Sequence, residues 1–166
     1  MQKGIIGAGI YVVAVIGICY LLARIKENVT AVSVPAVTEK KAAITFDDGP
    51  NPDYTLDLLE GLKERGVTAT FFLLGVEAEK YPDIVNKIYS DGHLIGTHAY
   101  NHVNLCNLTD EAAVEQVVKT NMVIGKITGE CPQFIRPPFG CWKKDLDYET
   151  TMIEVLWDVD TLVTKV

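Results

Sequence analysis

The chain has 166 residues, 48% of them hydrophobic, and carries a formal net charge of −7 with an isoelectric point near 4.9. This length predicts one folded domain. The acidic balance argues against a nucleic-acid-binding protein, because phosphate contacts require clustered Lys and Arg and no basic stripe is present.

The first predicted element is a membrane-spanning helix at residues 4–23, a run of 20 residues without a charge. A run of this length can cross the hydrocarbon core of a bilayer. No small-x-small cleavage site follows it, so we expect an uncleaved single-pass anchor at residues 1–26. A buried core helix is the alternative. Positive charges flank both ends of the run, so the charge rule leaves its orientation open.

Beyond a linker at residues 27–40, strand and helix patterns alternate through a predicted domain at residues 41–166. The predicted strands are the apolar runs at residues 42–46, 69–74, 93–97, 133–136 and 155–158. The predicted helices are those at residues 52–65, 82–90 and 109–128. This alternation indicates an α/β fold with a parallel sheet or barrel, in which ligand sites gather at the carboxyl ends of the strands.

Two kinds of signal define the predicted helices. Leu56, Leu59 and Leu62 have the spacing of one apolar helix face. Thr109 is a suitable N-cap residue, and Gly129 is a typical residue just past a helix end.

Polar residues follow three of the predicted strands at the same end. Asp47 and Asp48 come after the first strand, His98 and His102 after the third, and Arg136 ends the fourth. Because the carboxyl ends of parallel strands share one edge of a sheet, these residues are expected to meet there.

This set of side chains is suited to a catalytic metal. His98 and His102 are four residues apart, a spacing that on a helical turn puts both imidazoles on one face. One carboxylate of the Asp47-Asp48 pair would complete the ligands, and the other could deprotonate a water on the metal. Taken alone, such a His pair is usually incidental, and adjacent acids usually cap the following helix.

Four cysteines are present: Cys19 within the apolar run, and Cys106, Cys131 and Cys141 after it. Their spacing is not that of a zinc ribbon. The sequence is consistent with one disulfide and a free thiol, and also with ordinary packing of all three domain cysteines. The pairing is therefore open.

Three motifs in order, "TFDDGPNP", "GTHAYNH" and "IRPPFG", give the chain a clear resemblance. It resembles the polysaccharide deacetylase family, also called carbohydrate esterase family 4 or the NodB homology domain, over roughly residues 40–162. The resemblance implies a distorted (β/α)7-type barrel. About five strands are recognisable here, so the barrel is expected to be incomplete.

The resemblance also implies a reaction, the removal of N-acetyl groups from an amino-sugar polysaccharide. Asp47 matches the catalytic base that activates a metal-bound water. The ligands of a divalent metal, with zinc the preferred choice, would be Asp48, His98 and His102.

The "IRPPFG" motif carries the remaining implied roles. Arg136 matches the residue that orients the base. Phe139 stands where the family usually has Tyr, whose backbone N–H stabilises the oxyanion. Pro137 and Pro138 would stiffen this loop and contact the substrate.

The family pattern stops at residue 162. The family has Asp-Trp where this chain has Val163 and Thr164, and it has a catalytic His in a Leu-x-His motif further on. We therefore expect a C-terminally truncated domain, which a frame slip or early stop near codon 163 would explain.

Three hypotheses follow from these motifs. The first is a membrane-anchored deacetylase outside the cell, acting on peptidoglycan or chitin-type oligomers, with acetylated xylan as a further candidate. The second is a metal- and glycan-binding remnant without turnover. The third is a gene fragment that does not fold.

Overall fold

The computed structural model describes residues 41–143 and 152–161 of the chain. The predicted anchor at residues 1–26 and the linker at residues 27–40 lie outside the described residues. Within the two described ranges, no helix has both the length and the apolar character needed to cross a membrane.

The described residues alternate between strands and helices. The elements are β1 (Thr45–Gly49), α1 (Thr55–Glu64), β2 (Thr70–Leu73), α2 (Gly75–Lys80), α3 (Pro82–Ser90), β3 (Leu94–Thr97), α4 (Asp110–Thr128), β4 (Phe134–Ile135) and β5 (Ile153–Glu154). Two short 3₁₀ turns, Leu105–Asn107 and Pro138–Gly140, precede α4 and follow β4.

The five strands form one parallel sheet in chain order, β1-β2-β3-β4-β5. This confirms the predicted α/β fold with a parallel sheet. Neighbouring strand residues point to opposite faces, and Phe71 and Phe72 of β2 are both buried. Protein therefore covers both faces of the sheet at this strand, as is usual for parallel sheets.

The local helix signals are largely confirmed. The Thr109 hydroxyl accepts a hydrogen bond from a backbone N–H in the first turn of α4, and Gly129 ends that helix with a φ of 83°. In α1, Leu59 and Leu62 are buried, but Leu56 is 43% exposed, so its predicted place on the buried face was wrong. Steps of three residues drift around a helix of 3.6 residues per turn, which moves Leu56 out of the core.

Helix α2 was not predicted, because Gly75 is easily interpreted as the end of a strand. In the structure Gly75 is the first residue of this helix. A Cβ atom at Gly75 would lie 2.4 Å from the ring of Tyr100 and 2.6 Å from the hydroxyl of Thr120. The glycine is thus required by close packing of the α2 backbone against its neighbours.

Strand β5 was predicted at residues 155–158 but covers Ile153–Glu154. The carbonyls of Val155 and Leu156 accept hydrogen bonds from the Arg136 guanidinium, at 3.1 and 3.3 Å. Val155 and Leu156 thus lie just past the end of β5, where their carbonyls hydrogen-bond a buried cation.

Gly96 of β3 provides a stability test, because a Cβ atom there would lie 2.5 Å from two ring carbons of Phe72. That ring is 1% exposed and packs against the Arg136 guanidinium, so it has no room to move. We expect Gly96→Ala to lower the free energy of unfolding by about 1–3 kcal/mol in urea denaturation.

Gly61→Ala in α1 is the matched control. Its new methyl group would meet only the end of the Arg65 side chain, at 3.3 Å, and alanine favours a helix. An equal loss of stability at both sites would contradict the packing argument.

Candidate metal centre

The two adjacent acids lie at an irregularity near the end of β1. Between the paired residues Phe46 and Gly49, Asp47 and Asp48 face a single residue of β2, which makes a β-bulge. Asp48 has a φ of 67°, in the left-handed region. In a regular strand the two side chains would point to opposite faces. Because of the bulge and the left-handed backbone at Asp48, the two carboxylates need not point to opposite faces of the sheet.

His98 and His102 lie after β3, as predicted, in a loop without a helical turn. Ala99 is fully buried with a φ of 63°, which turns the backbone directly after His98. The two imidazole rings nevertheless converge, with centroids 5.3 Å apart. The two imidazoles thus come together in an irregular loop, as their spacing would also allow on a helical turn.

Asp48, His98 and His102 form a cluster suited to one cation. Their candidate ligand atoms all lie within 4.8 Å of one another. Oδ1 of Asp48 is 3.5 Å from Nε2 of each histidine. Two imidazole nitrogens and one carboxylate oxygen suit zinc and several other divalent transition metals. The residues present therefore fit a divalent metal with three protein ligands.

The hydrogen bonding of His98 leaves its metal-facing nitrogen available. Nδ1 donates to the backbone carbonyl of Arg136 at 2.5 Å, and a carbonyl can only accept. Nδ1 therefore carries the proton of the neutral ring, and Nε2 has a free lone pair towards Asp48. Burial lowers the pKa of His98, although this hydrogen bond and nearby carboxylates oppose the shift. The neutral form is the one that binds metal.

Arg136 is 4% exposed and joins Asp47 to the rest of the site. Its Nη1 donates to Oδ1 of Asp47 at 2.8 Å and to the hydroxyl of Thr45 at 2.7 Å. Its guanidinium carbon lies 4.3 Å from the ring centroid of Phe72. The planar guanidinium thus fixes the direction of one Asp47 oxygen while stacking on an aromatic ring.

The loop after Arg136 reaches His102. Phe139 has a φ of 61° and a 64% exposed side chain, and its ring centroid lies 4.8 Å from that of His102. Pro137 and Pro138 are buried. Their predicted contact with substrate stays a prediction. Because both prolines are buried, they would affect the substrate through the shape of the loop.

A disulfide between Cys106 and Cys141 joins this loop to the loop that carries the histidines. Cys131 is a free, exposed cysteine. The structure thus selects one of the pairings that the sequence left open.

Three features of the site escaped the sequence prediction. Thr45 lies two residues before Asp47 in β1, an alternation that could have indicated a shared face. The Phe72 ring and the Cys106–Cys141 disulfide depend on contacts between distant segments, for which the sequence carried no local signal.

A family model described as polysaccharide deacetylase matches residues 35–155. A peptidoglycan-N-acetylglucosamine deacetylase of Bacillus cereus is 42% identical over 128 residues, covering 75% of this chain and 46% of the relative. The peptidoglycan-N-acetylmuramic acid deacetylase PdaC of Bacillus subtilis is 38% identical over 122 residues, covering 74% of this chain and 26% of the relative.

A solved structure of PdaC superposes with a TM-score of 0.70 at 38% identity, covering 74% of this chain and 60% of that chain. The chain thus spans about half the length of the Bacillus cereus relative and about a quarter of PdaC.

Arg136→Lys tests the role of the guanidinium. A single ammonium group cannot replace hydrogen bonds from Nε, Nη1 and Nη2, and lost hydrogen bonds to a charged group cost about 1.5–3 kcal/mol each. We expect the free energy of unfolding to fall by at least that amount in urea denaturation. Arg65→Lys, at a largely exposed arginine, is the control and should change little. A stable Arg136→Lys protein would contradict the argument.

Proposed function

The chain belongs to the polysaccharide deacetylase family, and we propose that it removes N-acetyl groups from an amino-sugar polysaccharide. One observation carries the proposal. The cluster of Asp48, His98 and His102 lies beside a second carboxylate, Asp47, that Arg136 holds separately. This arrangement separates a group that binds a cation from a group that moves a proton, and hydrolysis of an amide needs both.

The proposed metal ligands are Asp48, His98 and His102. A divalent cation at this position would polarise the acetyl carbonyl and lower the pKa of water, and zinc is our preferred choice. His98 brings Nε2 with its lone pair free, because Nδ1 is committed to the Arg136 carbonyl. Three protein ligands leave room for water and substrate.

Asp47 is the proposed general base. Its side chain is 32% exposed, so it is accessible from solvent, while the Arg136 contact fixes Oδ1. This leaves Oδ2 as the oxygen to take a proton from the attacking water. A positioned base of this kind typically contributes about 10²–10⁴-fold to the rate.

Phe139 is proposed to stabilise the acetyl oxygen through its backbone N–H as negative charge develops there. The side chain cannot supply this hydrogen bond, so replacement of the family's usual Tyr by Phe leaves the role intact. The Phe139 ring lies against His102, which keeps the backbone of this loop beside the proposed ligands.

Peptidoglycan is our proposed substrate, with chitin-type oligomers as the alternative glycan. The names of the relatives, which include peptidoglycan deacetylases, support this choice. We also propose that the domain works outside the cell on a single-pass anchor. The Cys106–Cys141 disulfide supports an oxidising compartment, where such bonds persist. We infer further that the five strands are part of a barrel of the family's (β/α)7 type.

A metal- and glycan-binding protein without turnover is the second candidate. The observation that favours it concerns the three histidines of the chain. His98 and His102 face Asp48, and buried His93 accepts a hydrogen bond from a backbone N–H through Nδ1. None of these three imidazoles is thus free to protonate the leaving amine, so within these 166 residues another group or water would do so.

Asp47→Asn distinguishes the two candidates. For a deacetylase, we expect acetate release from N-acetylglucosamine oligomers to fall by about 10²–10⁴-fold, because the amide cannot accept the proton. Zinc binding should persist, since Asp47 is not a proposed ligand. Asp53→Asn, at an exposed acid on the following loop, is the control. Zinc-binding wild-type protein that releases no acetate would instead establish the second candidate.

Removal of the metal gives an independent test. Dialysis against a chelator should abolish acetate release, and added zinc should restore it, because the cation supplies the polarisation of the carbonyl. Asp48→Asn should weaken zinc binding and leave activity low even with excess zinc. Full activity in the chelated protein would overturn the metal-dependent mechanism.

A further inference from the structure

The two proposed histidine ligands are held in different ways. His98 has a 5% exposed side chain and a hydrogen bond from Nδ1 to a backbone carbonyl. The side chain of His102 is 40% exposed. Its Nε2 lies 3.5 Å from Oδ1 of Asp48, and its ring lies against the rings of His98 and Phe139. The position of His102 therefore depends on its loop and on Phe139.

The chain around His102 has little regular structure of its own. The loop from residue 98 to residue 104 contains neither helix nor strand. The 3₁₀ turn Leu105–Asn107 follows, with Leu105 fully buried and the backbone N–H of Cys106 bonded to the Asn104 side chain at 3.0 Å. On either side of His102, the backbone N–H of Asn101 donates to Oε1 of Gln116 in α4 at 2.8 Å, and Val103 packs against the apolar cluster that contains Leu105. The turn itself contains a disulfide cysteine.

The disulfide connects the two loops that meet at His102. Cys106 lies four residues after His102, Cys141 lies two residues after Phe139, and their Cα atoms are 5.9 Å apart. The two cysteines are 35 residues apart in sequence, so without the bond the loops are joined covalently only through α4 and β4. A crosslink at this point limits how far the two rings can separate.

We propose that the Cys106–Cys141 disulfide positions His102 for metal binding by tying its loop to the Phe139 loop. The inference rests on the metal site of the proposed function. Without the crosslink, the bound metal would have to hold the His102 loop against the Phe139 loop, and that entropy cost would appear as weaker affinity. His98 should be unaffected, because its support comes from the Arg136 carbonyl.

Zinc affinity is the appropriate measurement, because removing a disulfide also lowers global stability. The full 166-residue chain, in mild detergent, is titrated with zinc against a chromophoric chelator. The test protein is Cys106→Ser/Cys141→Ser, and Cys131→Ser, at the exposed free cysteine, is the matched control. Circular dichroism establishes that each protein is folded.

A double-mutant cycle separates positioning from general stability. We expect loss of the disulfide to weaken zinc binding about tenfold or more, the scale on which groups supporting a ligand act. In a His102→Ala background the same loss should change the remaining affinity less than about twofold. In a His98→Ala background the full effect should persist. Cys131→Ser should bind as the wild type does.

Three results would overturn the inference. Equal zinc affinity with and without the disulfide would refute positioning while leaving the metal site intact. An equal loss in the His102→Ala background would show that the disulfide acts through stability alone. No zinc binding by the wild-type chain would remove the proposed metal site, and the inference with it.

A second route covers a double variant that does not fold. A water-soluble phosphine opens the bond in folded wild-type protein. The S–S bond breaks, water supplies two protons to the thiols and its oxygen to the phosphine oxide, and the phosphine supplies the two electrons. After the phosphine is removed, an unchanged zinc affinity of the folded, reduced protein would also refute the inference.

Discussion

The Arg136 guanidinium is the interaction on which the geometry of the site depends. From the end of β4 it hydrogen-bonds Thr45 and Asp47 of β1, stacks on Phe72 of β2, and donates to carbonyls just after β5. In a flat sheet β1 and β4 would be separated by two strands, so this reach requires a curved sheet. The buried cation also explains why β5 is short, because the carbonyls of the two residues that follow the strand bind the cation.

Backbone strain is concentrated around the same centre. The non-glycine residues with positive φ in the described ranges are Asp48, Ala99 and Phe139. One is a proposed ligand, one follows a proposed ligand, and one packs on a proposed ligand. Such conformations cost about 1–3 kcal/mol each and persist only where the surroundings hold them. Three features supply that support: the burial of Ala99, the bulge in β1 and the disulfide beside Phe139. The site therefore depends on the packing around it.

The sequence predicted features that depend on neighbouring residues and missed features that depend on residues distant in the chain. Thr109 and Gly129 mark the ends of α4 because capping depends on residues within one turn. The polar residues at the strand ends were found because strand direction alone places them at one edge. The packing role of Gly75, the length of β5 and the pairing of Cys106 depend on residues distant in sequence. The adjacent acids suggested one ligand and one base, but the choice of Asp47 as the base and the role of Phe139 came from family resemblance, since no spacing rule assigns them.

One residue, Arg136, connects the carboxylate proposed as the base to the side chains proposed as metal ligands. The side chain of Arg136 directs Asp47, and the carbonyl of the same residue accepts the Nδ1 proton of His98. A small movement of β4 would therefore displace both groups together. In evolution, mutations that adjust basicity and mutations that adjust cation affinity should show epistasis through this residue. Adaptation to a different metal or a different pH would then proceed by paired substitutions rather than by independent steps.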